Sequence, residues 1–215
     1  QLSKIYPYHF VVYDLSEDML DRAKENIVST NLTDRIKTVR GDLTDMSSVP
    51  SDSVDYIISI YSPISFIANK ERAVAELYRV MKPGGIILIM GHGYYNALAS
   101  KINNYNANPE ELRELNNQHI VHWASHVPSL NVFSKESMEH LLKGAGFMPL
   151  TTYGVPVFVQ PGPEDFDPEN VKKSKISSAL ENQVFFKAVL DLEMHHNGKP
   201  EVANRGMNIF SAAKK

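Results

Sequence analysis

Two carboxylates each follow an apolar segment, at the position where a parallel strand would end. Asp14 follows the apolar run at residues 10–13, and an amphipathic helical pattern begins directly after it. Asp42 follows a short strand-like segment at residues 36–39 and the turn-forming Gly41. Because ligands of open α/β sheets bind beyond the carboxyl ends of the strands, both acids are candidates to bind a nucleotide-like cofactor. As bare residues, Asp14 could instead favour a helix dipole, and Asp42 could belong to an ordinary turn.

A histidine between two glycines follows a later predicted strand. The strand is predicted at residues 86–90, and Gly91-His92-Gly93 comes directly after it. The sequence does not complete a dinucleotide-binding glycine pattern, because Asn96 stands where a glycine is needed. His92 would lie where the carboxyl edge of the sheet opens, so it is a candidate base or orienting group. The alternative is a hydrogen-bonded loop histidine.

Three further histidines have the i, i+3, i+7 spacing of one helix face: His119, His122 and His126. If residues 118–126 were helical, that face could bind a metal. The stretch holds no thiolate or carboxylate to complete a metal site, so we expect none there. We interpret the histidines as part of a substrate-facing lid together with Tyr94 and Trp123, with a half-buried structural face as the alternative. His122 is also a candidate catalytic residue.

Hydrophobic periodicity predicts alternating strands and helices around these residues. The continuous apolar run at residues 56–60 predicts a central strand that is buried on both faces. Helices are predicted after Ser16, after Asn69 and after Ser134, each of which can cap a helix. The Lys-Pro-Gly-Gly motif at residues 82–85 ends the second of these helices.

Two longer segments depart from this alternation. Residues 91–131 are too long for a plain connection and are predicted to form an insertion or lid, with a helix near residues 109–117. Residues 171–196 are predicted to be mostly helical. The predicted buried face of that helix consists of five apolar side chains: Val184, Phe185, Ala188, Val189 and Leu192.

The composition bounds the function classes. A chain of 215 residues that is 43% hydrophobic and 22% charged can bury one sizeable core. A net charge of −3 provides no general field to attract nucleic acid. The sequence has no cysteine, which excludes disulfides and zinc–thiolate sites, and no apolar run approaches the roughly 20 residues that span a bilayer. We therefore expect a cytoplasmic protein with a small-molecule partner, and neither a nucleic-acid nor a membrane partner.

The order of these elements resembles the class I S-adenosylmethionine-dependent methyltransferases. The most diagnostic pieces are Val-Tyr-Asp-Leu-Ser-Glu-Asp-Met-Leu at residues 12–20 and Glu-Leu-Tyr-Arg-Val-Met-Lys-Pro-Gly-Gly at residues 76–85. The resemblance runs over about residues 10–161 and a last strand near residues 208–213. It implies an α/β fold with a Rossmann-like, doubly wound, mostly parallel seven-stranded sheet. The last strand would be antiparallel and inserted between its neighbours.

The resemblance also implies roles for individual residues. S-adenosyl-L-methionine would be the cofactor, with Asp14 accepting the ribose hydroxyls and Asp42 accepting the adenine amino group. Seven residues would form the cofactor site: Asp14, Leu15, Met19, Asp42, Leu43, Ile60 and Tyr61. Tyr61 and His92 join His122 as catalytic candidates. The insertion would bind the acceptor through Tyr94, His119, His122, Trp123 and His126, with Tyr95 and Tyr105 beside them.

One departure from the family pattern leaves three functions open. The family's glycine-rich loop, which contacts the methionine part of the cofactor, has no counterpart in these residues. We expect a single methyltransferase-like domain over residues 1–215 whose amino-terminal βα unit lies outside the sequence. The first expected function is methyl transfer to a small molecule. The alternatives are a non-catalytic, methyltransferase-like interaction domain and a nicotinamide-dependent dehydrogenase, although the motif at residues 82–85 and the last strand argue against the dehydrogenase.

Overall fold

The computed structural model describes residues 7–104, 107–161, 165 and 173–215. The strands in this part of the chain are β1 (Phe10–Asp14), β2 (Ile36–Arg40), β3 (Val54–Ser59), β4 (Met81–Gly93), β5 (Ile120–Val121), β6 (Leu130–Phe133), β7 (Met148–Val155) and β8 (Asn208–Lys214). The helices are α1 (Glu17–Ser29), α2 (Lys70–Val80), α3 (Tyr94–Asn103), α4 (Pro109–Gln118), α5 (Lys135–Gly144), α6 (Lys175–Ala179), α7 (Gln183–His196) and α8 (Pro200–Ala203). A 3₁₀ helix covers Pro63–Phe66. In the first half of the chain strands and helices alternate as predicted, except that β3 follows β2 with no helix between them.

The described strands form two sheets. β1 and β2 pair in parallel, with Asp14 opposite Arg40. The larger sheet is centred on β4, which pairs in parallel with β3 and β6 and antiparallel with β8. β8 separates β4 from β7, which confirms the predicted antiparallel last strand between its neighbours. A continuous seven-stranded sheet is not confirmed, because the eight described strands are divided between two sheets and β5 and β6 lie in or near the predicted insertion.

The main core lies between β4 and the helices α2 and α5. Ile87 and Ile89 alternate along β4 toward this side and are fully buried. They belong to one cluster with Val74 and Leu77 of α2 and Leu142 of α5. Each such side chain contributes about 1.5–3 kcal/mol through burial, so this face holds the larger sheet and its helices together.

Helix α2 also holds the segment that follows β2. The Glu76 carboxylate accepts the backbone N–H of Met46 at 2.9 Å and Nη2 of Arg79 at 2.8 Å. Arg79 in turn donates to the carbonyls of Met46 and Val49, at 2.8 and 3.1 Å. The hydrogen bond from Arg79 lowers the pKa of Glu76, so this carboxylate stays charged at neutral pH. The chain between β2 and β3, which contains Asp42, is therefore tied to the core.

The carboxyl-terminal region corrects one prediction. Residues 175–196 are mostly helical, as predicted, and form two helices, while residues 171 and 172 lie outside the described part. The predicted buried face is wrong: Val184 is 82%, Phe185 42% and Leu192 56% exposed, Ala188 is also exposed, and Val189 is only half-buried. Instead the charged Glu193 is buried, because its carboxylate accepts three backbone N–H groups, those of Val157, Phe158 and Val159. None of the helices in the described segments combines the length and the apolar character needed to cross a bilayer.

We predict that Glu76→Gln lowers the free energy of unfolding by about 1.5–3 kcal/mol, the scale of hydrogen bonds to a charged group. The pKa of Glu76 is lowered in the folded state, so its stabilisation is present above the ordinary value of 4.5 and is lost as the pH falls below it. Urea unfolding at pH 7 and at pH 3 should therefore show a difference between variant and parent that shrinks in acid. The matched control is Glu71→Gln on the same helix, because the Glu71 side chain is 67% exposed. An equal loss in both variants would contradict the anchoring role.

Candidate functional site

Asp14 and Asp42 lie at the carboxyl ends of adjacent parallel strands, as predicted. Oδ1 of Asp14 accepts the backbone N–H of Ser16 at 2.8 Å. Oδ1 of Asp42 accepts the backbone N–H and the hydroxyl of Thr44, at 2.7 and 2.8 Å. These bonds to Thr44 lower the pKa of Asp42. Within the described residues, the second oxygen of each carboxylate makes no hydrogen bond, so each acid can accept from a ligand.

Tyr13 links the two acids physically. Its hydroxyl donates to the carbonyl of Asp42 at 3.1 Å and lies 3.3 Å from the carbonyl of Asp45. Gly41 makes this contact possible, since a Cβ there would lie 1.9 Å from the Tyr13 hydroxyl oxygen. The Gly41 N–H also donates to the Asp14 carbonyl at 3.0 Å. The sequence predicted Gly41 only as a turn residue. Its close contact with Tyr13 of the neighbouring strand depends on the tertiary structure and could not be predicted from local sequence.

The apolar residues that are predicted for the cofactor site differ in their exposure to solvent. Leu15 and Met19 are exposed beside Asp14, at 63% and 55%. Ile60 is also exposed, after the end of β3. Leu43, in contrast, is half-buried and packs against the main core. Three of these four side chains are thus accessible to a ligand at this edge of the sheets.

The backbone just beyond β3 has an unusual conformation. Tyr61 and Ser62 both have φ of 63°, in the left-handed region that residues with a Cβ seldom adopt. The Tyr61 side chain is 85% exposed, whereas Ser62 is buried and its hydroxyl donates to Oδ1 of Asn208 at 3.0 Å. Strained residues of this kind cluster at binding and catalytic sites. The sequence indicated Tyr61 but neither Ser62 nor Asn208, which lie 146 positions apart.

His92 lies on the face of β4 that is opposite to the main core. The alternation that buries Ile87, Ile89 and Gly91 places His92 with Leu88 and Met90 on the other, half-buried face. The His92 backbone pairs with Asn208 of β8 and Val132 of β6. Burial lowers the pKa of His92 below its ordinary value, so its imidazole is neutral at neutral pH.

The two glycines around His92 have a packing role. A Cβ on Gly91 would lie 2.4 Å from the Phe133 ring, and a Cβ on Gly93 would lie 2.0 Å from the carbonyl oxygen of Gly206. The Gly93 N–H donates to the Met207 carbonyl at 2.8 Å. Small residues are therefore required on both sides of His92 for the end of β4 to fit against its neighbours.

The beginning of the predicted insertion contributes an aromatic group. Tyr94 is buried at the start of α3, and its hydroxyl donates to Oδ1 of Asn116 at 3.1 Å. His119 stacks on the Tyr94 ring with 4.3 Å between centroids, and the half-exposed Tyr95 meets it edge-on at 4.9 Å. Tyr94 and His119 therefore come together in space, although the sequence suggested only a general proximity. Tyr105 lies outside the described residues.

The predicted shared helix face of the three histidines is wrong. Helix α4 ends at Gln118, His119 takes a left-handed conformation, and β5 follows, so the helical spacing does not apply. His122 and Trp123 line a cavity of about 370 Å³, whereas His126 is exposed in a turn. His122 instead has two neighbours that the sequence did not indicate: its Nδ1 lies 2.8 Å from the Ser129 hydroxyl and its Nε2 lies 3.4 Å from the Glu114 carboxylate.

Comparison with known proteins finds methyltransferases. The family model of the methyltransferase domain matches residues 1–85, which include both acids and the Lys-Pro-Gly-Gly motif. Residues 1–85 are thus similar to a methyltransferase domain, in agreement with the resemblance to the class I S-adenosylmethionine-dependent methyltransferases. A solved S-adenosylmethionine-dependent methyltransferase from Mesorhizobium loti shares the fold, with a TM-score of 0.56 and 14% identity over 96% of this chain and 80% of that chain.

Two curated methyltransferases are similar over the first part of the chain. A demethylmenaquinone methyltransferase of Leptospira interrogans is 31% identical over 85 residues, which make up 40% of this chain and 34% of the relative. The tRNA 5-carboxymethoxyuridine methyltransferase of Escherichia coli strain K12 is 27% identical over 90 residues, 42% of this chain and 33% of the relative. The chain thus spans about a third of the length of these relatives.

The site fits the cofactor of this methyltransferase family, S-adenosyl-L-methionine. Its ribose hydroxyls and adenine amino group are hydrogen-bond donors, and the free oxygens of Asp14 and Asp42 are acceptors at neighbouring strand ends. The exposed Leu15 and Met19 offer apolar surface beside the acids. The donor and acceptor chemistry of these residues therefore matches the nucleoside part of the cofactor.

We predict that Gly93→Ala lowers the free energy of unfolding by about 1–3 kcal/mol, because the new methyl group would overlap a backbone carbonyl that cannot move alone. Gly144→Ala is the matched control. Nothing lies within 4 Å of a Cβ at this last residue of α5, so that variant should be neutral or gain up to about 1 kcal/mol. Chemical unfolding followed by circular dichroism measures both. Equal stability of the two variants would refute the close-packing role of Gly93.

Proposed function

We propose that the protein transfers the methyl group of S-adenosyl-L-methionine to a small-molecule acceptor. The observation that carries the proposal is the pair of half-free carboxylates, Asp14 and Asp42, at the carboxyl ends of β1 and β2. When bound, the cofactor supplies an electrophilic methyl group on a sulfonium. In-line displacement at that methyl needs chiefly correct positioning of the acceptor. The methyltransferase relatives favour this reaction over hydride transfer to a nicotinamide, and a non-catalytic domain is the alternative that a binding measurement tests.

Asp14 would hold the ribose, and Asp42 would hold the adenine amino group. Support comes from the bonds that already orient each carboxylate through one oxygen and leave the other open. Leu15, Met19 and Leu43 would pack around the adenine, with Leu43 contributing only an edge because it also packs on the core. Ile60 and Tyr61 would line the side that holds the methionine part. Their position beyond β3, with the left-handed backbone of Tyr61, supports that role.

The acceptor wall would come from the insertion at residues 91–131. Tyr94, His119, His122, Trp123 and His126 would provide aromatic faces with few polar tips, which suits a partly apolar acceptor. The stack of Tyr94 on His119 and the cavity beside Trp123 support a rigid wall. The named acceptors of the two relatives differ: demethylmenaquinone for one and a tRNA uridine derivative for the other. The net charge of −3 favours the small molecule over the nucleic acid.

A further strand would complete the sheet between β1 and β3. In the described part of the chain, β1 pairs only with β2, and β3 pairs only with β4 among the strands. Val11 of β1 and Tyr56 and Ile58 of β3 are 55%, 61% and 47% exposed, although a central strand is normally covered on both faces. An inserted parallel strand would satisfy both unpaired edges. The glycine-rich turn that holds the methionine part in this family would follow such a strand.

We predict that Asp14→Asn weakens binding of S-adenosyl-L-methionine by about 10- to 100-fold, which corresponds to about 1.5–3 kcal/mol for a hydrogen bond to a charged group. The asparagine oxygen can still accept the Ser16 N–H, so the fold should be kept. Calorimetric titration of the natural full-length protein measures the Kd. Asp18→Asn is the control, because Asp18 is an exposed acid in the first turn of α1. If Asp14→Asn kept the parental Kd and thermal unfolding, Asp14 would not bind the ribose.

A second binding prediction separates the cofactor site from the acceptor wall. Trp123→Ala removes a large aromatic face from the insertion and leaves both acids in place. The Kd for S-adenosyl-L-methionine should therefore stay within about twofold, a difference of roughly 0.4 kcal/mol. The same calorimetric titration provides the measurement. Loss of cofactor binding in a folded Trp123→Ala protein would show that cofactor and acceptor sites are not divided in this way.

A further inference from the structure

The His92 imidazole is a half-buried polar ring, and neither of its nitrogens has a hydrogen-bond partner among the residues that the structure describes. The backbone N–H of His92 donates a hydrogen bond to the Ser65 hydroxyl at 2.9 Å. Half-buried histidines usually bind a carbonyl, a carboxylate or a hydroxyl, since an unpaired ring nitrogen in a desolvated place costs free energy. A ring left unpaired at the open edge of the sheet is available to a ligand.

The backbone of His92 is held from several sides. The Ser65 hydroxyl and the strands β6 and β8 fix it by hydrogen bonds and pairing. The glycines on both sides of it allow β4 to approach Phe133 and Gly206 without space for a side chain. The ring therefore projects from a rigid part of the fold, as general acid–base catalysis requires.

Burial lowers the pKa of the His92 imidazole. Helix α3, which follows β4 directly, carries the titratable side chains Tyr94, Tyr95 and Lys101, His119 stacks on Tyr94, and β8 carries Lys214 at its far end. Burial raises the pKa of Tyr94, so this phenol stays neutral. Lys101 is paired with Glu111 at 3.2 Å. The surroundings thus keep the imidazole neutral near pH 7, which is the form that accepts a proton.

We infer that His92 accepts the proton that the methyl acceptor loses. This inference rests on the proposed function, and it narrows the acceptor to molecules whose methylated atom carries an acidic proton: a hydroxyl, a protonated amine or an activated carbon. The proton of the acceptor atom passes to a ring nitrogen of His92, and the electrons of the broken bond to hydrogen stay on the acceptor atom. That atom then has an electron pair with which it bonds the methyl carbon, while the electrons of the carbon–sulfur bond go to sulfur. The imidazolium of His92 afterwards releases its proton to water.

The experiment is a histidine titration by NMR of the natural full-length protein, followed at the imidazole Cε1–H signals. The signal of His92 is assigned by its disappearance in His92→Asn, and His140→Asn on the exposed face of α5 is the matched control. The probes are S-adenosyl-L-methionine, whose sulfur is positively charged, and S-adenosyl-L-homocysteine, whose sulfur is neutral. A proton acceptor at the reacting centre lies within several ångströms of that sulfur. The positive charge should therefore lower the pKa of His92 by about one pH unit relative to the neutral analogue.

The possible outcomes separate the inference from the proposed function. A pKa of His92 below 6.5 in the free protein that falls further with the sulfonium, while His140 does not respond, supports the inference. Equal pKa values of His92 with the two probes, when calorimetry shows that both bind, overturn it and leave the proposed function standing. Failure of both probes to bind overturns the proposed function, and the inference with it. His92→Asn should keep the parental Kd for S-adenosyl-L-homocysteine within about threefold, because the ring is assigned to the acceptor and not to the nucleoside.

Discussion

The close approach of three backbones at the end of β4 is the constraint on which the rest of the site depends. A Cβ on Gly93 would strike the carbonyl of Gly206, and a Cβ on Gly206 would come within 2.4 Å of the Cα of Gly154. Glycine at positions 93, 206 and 154 lets β4, the chain before β8 and the end of β7 approach one another this closely. Once they meet, β8 lies between β4 and β7 with Asn208 opposite His92. His92 and the hydrogen bond between Ser62 and Asn208 lie directly beside this contact.

Local signals in the sequence predicted much of this architecture. Ser16, Asn69 and Ser134 each cap a helix through a side-chain oxygen, as predicted, because the cap and the N–H groups it binds are neighbours in the chain. The two acids at strand ends were predicted for a similar reason, since a strand that ends at a glycine or a helix cap can be recognised over a few residues. The place of the last strand depended on the family resemblance, since an apolar segment alone does not identify its partners.

Features that depend on distant residues could not be predicted in this way. The spacing of His119, His122 and His126 would suit a helix, but a left-handed residue and two short strands follow α4 instead. The apolar spacing along α7 predicted a buried face, but most of those side chains are exposed. The spacing shows that one side of the helix is apolar, and it does not show which element packs against that side. Buried Glu193 shows the converse, because three backbone N–H groups of the segment after β7 donate hydrogen bonds to its carboxylate.

The contact between Tyr13 and Gly41 holds together the two turns that carry Asp14 and Asp42. Asp14 and Asp42 are each oriented by a turn of their own, and Tyr13 fixes the distance between those turns. A ligand that bridges both acids need not order their side chains, which saves about 0.5–1.5 kcal/mol for each side chain that would otherwise be immobilised on binding. A ligand that reaches only one acid gains half of that advantage. In the proposed cofactor site, this favours a nucleoside, which would reach both carboxylates, over an isolated base, which would reach one.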